Sequence, residues 1–246
     1  MNSFFLPAIT LWQRELVRFW RQKSRVLGVV ASPLVIWLLI GYGSDSLARF
    51  YSGALVLTVM FSAIFSTISI IEDRREGFLL SMLVSPAPRT SLVLGKIAGS
   101  ATLAWIQGLV FLCFAPLAGV RIDPLDLIPV VAVIFLISFT LTGLGFVIAW
   151  RMDSTAGFHA IMNLLLVPMW MVSGSLFPVA TAHGFVKWIM WVNPLTYSIS
   201  LLNFTLHLPN ATPGPTESLA VTAAFGLALL LASGMMAAQK ATRSAA

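Results

Sequence analysis

A chain of 246 residues that is 58% hydrophobic and only 10% charged, with a mean hydropathy of +0.91, cannot carry a soluble surface, because soluble domains hold roughly 25% charged residues. It is an integral membrane protein. At about 20 apolar residues per span, the length suits roughly five to seven crossings and excludes a separate soluble enzyme domain. The net charge of +6 is informative through its placement rather than its sign, and no nucleic-acid partner is expected. The single cysteine, Cys113, lies in an apolar run, which excludes a disulfide framework and predicts a buried structural thiol.

Residues 4–25 mix large apolar and basic side chains at helical spacing. Phe5, Ile9, Trp12, Leu16 and Phe19 fall on one face, and Arg14, Arg18, Arg21 and Arg25 on the other, the pattern of a helix lying in the membrane interface. It lacks the order of a cleaved signal peptide, so the N-terminus is expected to be retained. Six charge-free runs then predict spans at 27–44, 51–71, 97–120, 127–150, 160–182 and 218–239. A seventh run, 188–206, contains Asn193-Pro194 and Asn203. Proline removes a helix hydrogen bond and an exposed amide is unfavourable in hydrocarbon, so 178–206 reads as external, broken, partly re-entrant helices.

Charge supports that topology. With six spans and an inside N-terminus, Arg14, Arg18, Arg21, Lys23, Arg25, Arg74, Arg75, Arg89, Lys96, Arg151, Lys240 and Arg243 are cytoplasmic, leaving only Arg49, Arg121 and Lys187 outside. Such a positive-inside bias favours two cytoplasmic termini, in the inner or plasma membrane.

The stretch 72–91 is then cytoplasmic. Five consecutive charges, Glu72 to Glu76, precede Gly77 and a short apolar segment in which Phe78, Leu79, Met82 and Leu83 make a narrow patch, and Ser85-Pro86-Ala87-Pro88 stops it. The acids are expected near a helix N-terminus. Such a patch in a charged loop suits docking of a cytoplasmic partner or resting on the lipid surface; spacing does not choose between them.

Glu72-Asp73-Arg74-Arg75-Glu76-Gly77-Phe78-Leu79, Leu83-Val84-Ser85-Pro86 and Leu94-Gly95-Lys96 resemble the cytoplasmic loop of type-2 permeases of the ABC transporter superfamily, the group that includes daunorubicin-resistance, nodulation-factor and polysaccharide exporters. Ser173-Gly174-Ser175-Leu176-Phe177-Pro178, with Trp188 and Asn193-Pro194-Leu195-Thr196-Tyr197, resembles that family's motif before its last span. The resemblance covers nearly the whole chain, read as one transmembrane permease domain over 1–246. It implies an all-α, six-span membrane subunit without its own ATPase. It further implies a second permease copy or relative and two copies of a nucleotide-binding subunit that hold ATP and Mg. Residues 72–85 would be the coupling helix and 4–25 the connecting helix beside it. Glu72, Arg75, Glu76, Gly77, Phe78, Leu79, Met82 and Leu83 are the expected coupling residues. The chain has no phosphate-binding loop, since Gly95-Lys96 is followed by Ile97.

Within the spans, Thr58, Ser62, Ser66 and Ser69 share a helical face, and Gln107 and Asn163 are intramembrane amides. Ser62, Ser66, Gln107 and Asn163 are candidates for a substrate path, although small hydroxyls in membrane helices more often permit close packing. Phe177, Pro178, Asn193 and Pro194 are candidates for an external gate or a shield over the bundle. His159, His183 and His207 are scattered, so no metal site is expected, and Asp153 reads as a solvated loop charge. No catalytic constellation is present. The leading expectation is the permease subunit of an ATP-driven exporter of a lipophilic or amphiphilic molecule such as a drug, lipid or lipid-linked saccharide, with direction and cargo class coming from the resemblance. The alternatives are a non-transporting membrane scaffold for a cytoplasmic partner and, lowest, an ion-coupled carrier, which usually needs an acid buried in a span.

Overall fold

The computed structural model describes residues 2–44, 46–84 and 87–243. They form ten α-helices and no strand: α1 Asn2–Arg21, α2 Lys23–Gly43, α3 Leu47–Arg75, α4 Phe78–Val84, α5 Arg89–Leu112, α6 Leu127–Ala149, α7 Thr155–Trp170, α8 Gly184–Val192, α9 Pro194–Thr205 and α10 Pro215–Arg243. Among the described residues, five stretches are long and apolar enough to cross a membrane: α3, α5, α6, α7 with its continuation to Ser175, and α10 as far as Ala237. The apolar part of α2, Leu27–Gly43, is shorter. Five of the six expected crossings thus have full length, while the first lies at the low end of what hydrocarbon demands. The chain is an all-helical, multi-pass membrane protein.

The axis of the bundle is α3. Its apolar stretch is 89% buried, against 22% for those of α7 and α10, and α2, α5 and α6 all pack on it. Small and hydroxyl residues along α3 let these neighbours approach. Three of the hydroxyls are satisfied within the helix itself: Thr58 donates to the Ala54 carbonyl at 3.0 Å, Ser66 to the Ser62 carbonyl at 2.8 Å and Thr67 to the Ile64 carbonyl at 2.9 Å.

At its first turns α3 is held by aromatic side chains that donate to carbonyls. Tyr51 Oη donates to Phe111 and Leu112 at 3.1 and 3.2 Å, Trp37 Nε1 to Leu47 at 2.9 Å, and Trp170 Nε1 to Gly53 at 2.7 Å. The rings of Trp37, Tyr51 and Phe111 also pack together, edge-to-face or tilted, with centroids 5.6 to 5.8 Å apart.

Element ends depart from the sequence pattern for identifiable reasons. α1 stops at Arg21, and a non-helical Gln22 (φ −97°, ψ 68°) hands Lys23 to α2. α5 begins at Arg89 because Pro88 occupies its N-cap position, and ends at Leu112 before a 3-10 turn, Ala115–Ala118. Cys113 is exposed rather than buried, because it points away from the side on which its neighbours Phe111, Leu112 and Ala115 enter the core. α7 starts at Thr155, where Ser154 Oγ accepts from the Gly157 amide at 3.2 Å. It then loosens into a π-helical turn, Met171–Ser175, with non-helical torsions at Val172 and Gly174.

α1 also faces otherwise than periodicity suggests. Leu11, Glu15 and Phe19 are buried, Phe5, Ile9, Val17 and Trp20 are exposed, and Arg14 and Arg18 turn inward; the side chain of Arg25 lies outside the described residues. α1 seats on α5 at two glycines. A Cβ on Gly95 would stand 2.6 Å from the Ala8 carbonyl oxygen, and one on Gly99 2.7 Å from Glu15 Cβ.

Gly95→Leu is therefore expected to lower stability by about 1–3 kcal/mol through overpacking and to make α1 cleavable, as read by thermal unfolding in detergent with limited proteolysis. Unchanged cleavage would show that α1 is not seated there.

Candidate functional site

The charged stretch that stood out in the sequence is the end of the axial helix, not the start of a loop helix. α3 runs unbroken through Arg75, and the chain turns only at Glu76 and Gly77 before α4. The expectation of a single coupling helix over 72–85 is thereby corrected: Glu72 to Arg75 are the last turn of α3. Gly77 adopts φ +76°, a left-handed torsion that glycine reaches without strain.

This position creates an electrostatic problem, because two acids at a helix C-terminus meet the negative end of the dipole. Cations from α1 and α5 resolve it. Asp73 is fully buried. Its Oδ1 accepts from Arg14 Nη2 and Arg18 Nη1, both at 2.8 Å; its Oδ2 accepts from Arg14 Nη1 at 3.1 Å and from Lys96 Nζ. A carboxylate has about four acceptor positions, so Asp73 is saturated. Lys96, also buried, spends its three donors on Asp73, on Glu15 Oε1 at 2.9 Å and on Ser69 Oγ at 3.4 Å. Arg18 Nη2 continues outward to Glu72 at 2.8 Å and Glu76 at 3.7 Å. Burial pulls the Arg14 guanidinium downward, but the hydrogen bond and charge of Asp73 outweigh it and hold Arg14 above its usual value. Its guanidinium also covers the Phe78 ring, 3.9 Å from the centroid, so the first residue of α4 is held by the same arginine.

The expected coupling residues therefore separate. Arg75 and Glu76 are exposed and Gly77 forms the turn. Glu72 pairs with Arg18. Phe78 is half-buried under Arg14 and Met82 is buried, while Ser81 and Val84 face outward on α4. The side chains of Leu79 and Leu83 lie outside the described residues, as do Ser85 and Pro86 altogether. Sequence reading placed Arg14, Arg18 and Lys96 among the cytoplasmic charges without assigning them to this site, and it did not notice Glu15. The available signal was that Glu15 interrupts the basic face of α1, and that Lys96 follows Gly95 at a helix contact.

The path candidates divide as well. Ser62, Ser66 and Gln107 are buried in helix packing, with Ser62 Oγ and both amide atoms of Gln107 unpaired. Asn163 instead is exposed and lines a groove of about 560 Å³ with His159, between α2 (Gly28, Val29, Ser32) and α7, floored by Phe61, Ile64 and Phe65 of α3. At the opposite end of the bundle from α4, the buried Asn193 amide donates to the Met169 and Val172 carbonyls at 2.6 and 3.3 Å, which the π-turn leaves free, and its Oδ1 caps α9 by accepting from Leu195 at 3.0 Å. Pro194 occupies the first position of α9. Phe177 is exposed and Pro178 half-buried beside this break. Asp153 is solvated as expected yet also accepts from Arg74 at 2.9 Å. Among the described residues no group of three or more His, Cys, Asp or Glu side chains could hold a metal ion.

Residues 8–206, from α1 through the end of α9, match the family model of the ABC-2 type transporter. The chain belongs to the ABC-2 type transporter family. It is similar to the putative transport permease ycf38 of Cyanophora paradoxa, 25% identical over 220 residues that make up 83% of this chain and 76% of the relative. It is also similar to nodulation protein J of Neorhizobium galegae, 27% identical over 235 residues, 85% of this chain and 88% of that one, and to nodulation protein J of Sinorhizobium fredii, 25% identical over 210 residues, 79% of each. An ABC-2 permease is a membrane transport protein, and membership implies an ABC transporter with an ATPase partner. In this permease the matched region holds both the ion cluster and the groove.

Removing one member of a buried ion pair costs about 3–5 kcal/mol because the other is left uncompensated. Asp73→Asn should destabilise the ABC-2 permease on that scale. Lys96→Met should cost less in the Asp73→Asn background than alone, with a coupling of about 1–3 kcal/mol, as measured by denaturation in micelles. Strictly additive effects would show that the two charges do not depend on each other.

Proposed function

We propose that this ABC-2 permease is the membrane subunit of an ATP-driven exporter that moves a lipophilic or amphiphilic molecule out of the cytoplasm, with ATP and Mg held by a separate nucleotide-binding subunit. The observation that carries the reading is the mounting of α4: a seven-residue helix set across a glycine turn on the end of the most buried helix, and clamped there by a saturated ion cluster. Such a mounting passes force from a docked partner into the bundle axis. The docking face then comprises Arg75, Glu76, Ser81 and Val84, which point outward, rather than Phe78 and Met82, which face the chain itself.

In this reading the protein has six spans, with α2 as the short first one, two cytoplasmic termini, and α8 and α9 as re-entrant helices at the outer face. Two copies meet along the groove between α2 and α7, each with its own ATPase subunit. The lining supports an amphiphilic cargo: Val29, Phe61, Ile64 and Phe65 provide an apolar wall, and Ser32, His159 and Asn163 a few polar points, the usual balance of a ligand site. Asn193 and Pro194, which brace the break above this wall, and Phe177 and Pro178 beside it would form the outer gate. An ion-coupled carrier gains nothing from the buried Asp73, whose acceptor positions are all taken by Arg14, Arg18 and Lys96.

The test is Gly77→Pro. Proline cannot adopt φ +76° and removes the amide that donates to Arg74 at 3.2 Å. The variant is expected to insert normally but to lose co-purification of the ATPase subunit and ATP-dependent uptake of a fluorescent acyl-chain amphiphile into inverted vesicles. Glu76→Lys should weaken both. Undiminished co-purification in Gly77→Pro would remove α4 as the docking element, and uptake driven by an ion gradient without ATP would replace the exporter with a carrier.

A further inference from the structure

Arg74 stands apart from its neighbours. Glu72 and Asp73 bind the cations of α1 and α5, whereas Arg74 reaches the other way, to the turn between α6 and α7. Its Nη1 donates to the Met152 carbonyl at 2.8 Å and to Asp153 Oδ1 at 2.9 Å, and its Nη2 donates to the Trp150 carbonyl. The guanidinium also lies 5.9 Å from the Trp150 ring centroid, and that indole stacks on Phe146 at 5.4 Å. The two carbonyls belong to the end of α6 and the turn beyond it, groups a helix terminus leaves without intrahelical partners, and a cation there also suits the dipole. One side chain thus fixes the turn from which α7 departs. α7 itself is sparsely held, with only 22% of its apolar stretch buried, and its distal end is a π-turn with two non-helical residues. A helix tied to α3 and α9 at its far end by Trp170 and Asn193 and exposed along its length swings about that end when the turn at its start is moved.

We propose that Arg74 is a positioning residue that couples movement of the α3–α4 junction to α7, and so sets the width of the groove between α2 and α7. The inference rests on the ATP-driven reading given above. When the docked α4 shifts, the last turn of α3 shifts with it; Arg74 carries the α6–α7 turn along, and Asn163 changes its exposure. Three acceptors on one planar fork resist rotation in a way that a single point charge would not.

The experiment uses the full complex with its ATPase subunit in nanodiscs, in a Cys113→Ser background that removes the one native thiol. Asn163→Cys reports the groove and Ser81→Cys reports docking, each by its maleimide labelling rate without nucleotide and after trapping with ATP and vanadate. With Arg74 present, the rate at position 163 is expected to differ by at least about 3-fold between the two states, as for a population shift between conformers. In Arg74→Gln the ratio should collapse to about 1, while Ser81→Cys stays shielded by the ATPase and ATP is still hydrolysed. Arg74→Lys keeps the charge but not the fork. It should lose most of the ratio too, and carries the test if Arg74→Gln does not insert. Either variant retaining the ratio overturns the proposal, including the case where only the melting temperature falls, which marks a structural role alone. If the Arg74 complex itself shows no difference at position 163 while Ser81→Cys is shielded, the coupling to α7 is wrong and the ATP-driven reading stands. If Ser81→Cys is not shielded either, that reading fails and the proposal with it.

Discussion

Asp73 sits where a carboxylate should be least welcome: fully buried, in the last turn of a long helix, facing the negative end of that helix's dipole. It is tolerable only because Arg14, Arg18 and Lys96 fill its acceptor positions. A buried ion cluster of this kind is weak evidence for stability, since apolar side chains of similar volume often serve as well. What it does provide is specification. α1 could slide along α5 at little cost if held by apolar contact alone, but Arg14 and Arg18 bond the same carboxylate from successive turns of α1, and Lys96 closes the set from α5. One register of three helices satisfies every group.

The two ends of α3 are held by different chemistry, and the difference has consequences for motion. At the first turns, indole and phenol donors engage backbone carbonyls of α3 and α5, and the rings are packed around them. These bonds are short-ranged and dry, and they place the start of α3 in a rigid frame. At the last turn the partners are charged and graded in burial: Asp73, Lys96 and Glu15 are buried, whereas Glu76 and Asp153 at the margin are mostly exposed. Charged side chains with several rotamers can follow one another over a small displacement without losing contact. A stiff frame at one end and a compliant ionic joint at the other suit a helix that pivots.

Much of the fold was legible because a run of about twenty apolar residues without charge has few other uses. The runs at 51–71 and 127–150 coincide with α3 and α6, whereas 160–182 is displaced from the stretch Thr155–Ser175, which starts earlier and ends at the π-turn. The charged end of α3 was not legible in the same way. Hydropathy treats Glu72 and Asp73 as the place where a span must stop, since an unpaired charge there would be prohibitive, and nothing local reveals that the compensating cations lie 55 to 59 positions earlier in α1. The face of α1 misled for a related reason. Periodicity separates arginines from aromatics along α1 but does not tell which set faces the protein. Asn193-Pro194 was read correctly as a break, while its role in capping the carbonyls freed near Trp170 depends on a contact across more than twenty residues.

The arrangement of the last turn of α3 makes a mechanical point that the individual bonds do not. Successive helix residues project about 100° apart, so Glu72, Asp73, Arg74 and Arg75 look in four directions around one turn. Glu72 meets Arg18 on α1, Asp73 meets α1 and Lys96 of α5, Arg74 meets the α6–α7 turn, and Arg75 is left pointing outward beside the α4 junction. A rotation of this turn about its own axis is felt at once by every one of those elements, whereas a translation along the axis is resisted by the aromatic frame at the far end. The order of charges, two acids followed by two bases, is thus directional: Glu72 and Asp73 toward the cations of α1 and α5, Arg74 toward the carbonyls at the end of α6, and Arg75 outward.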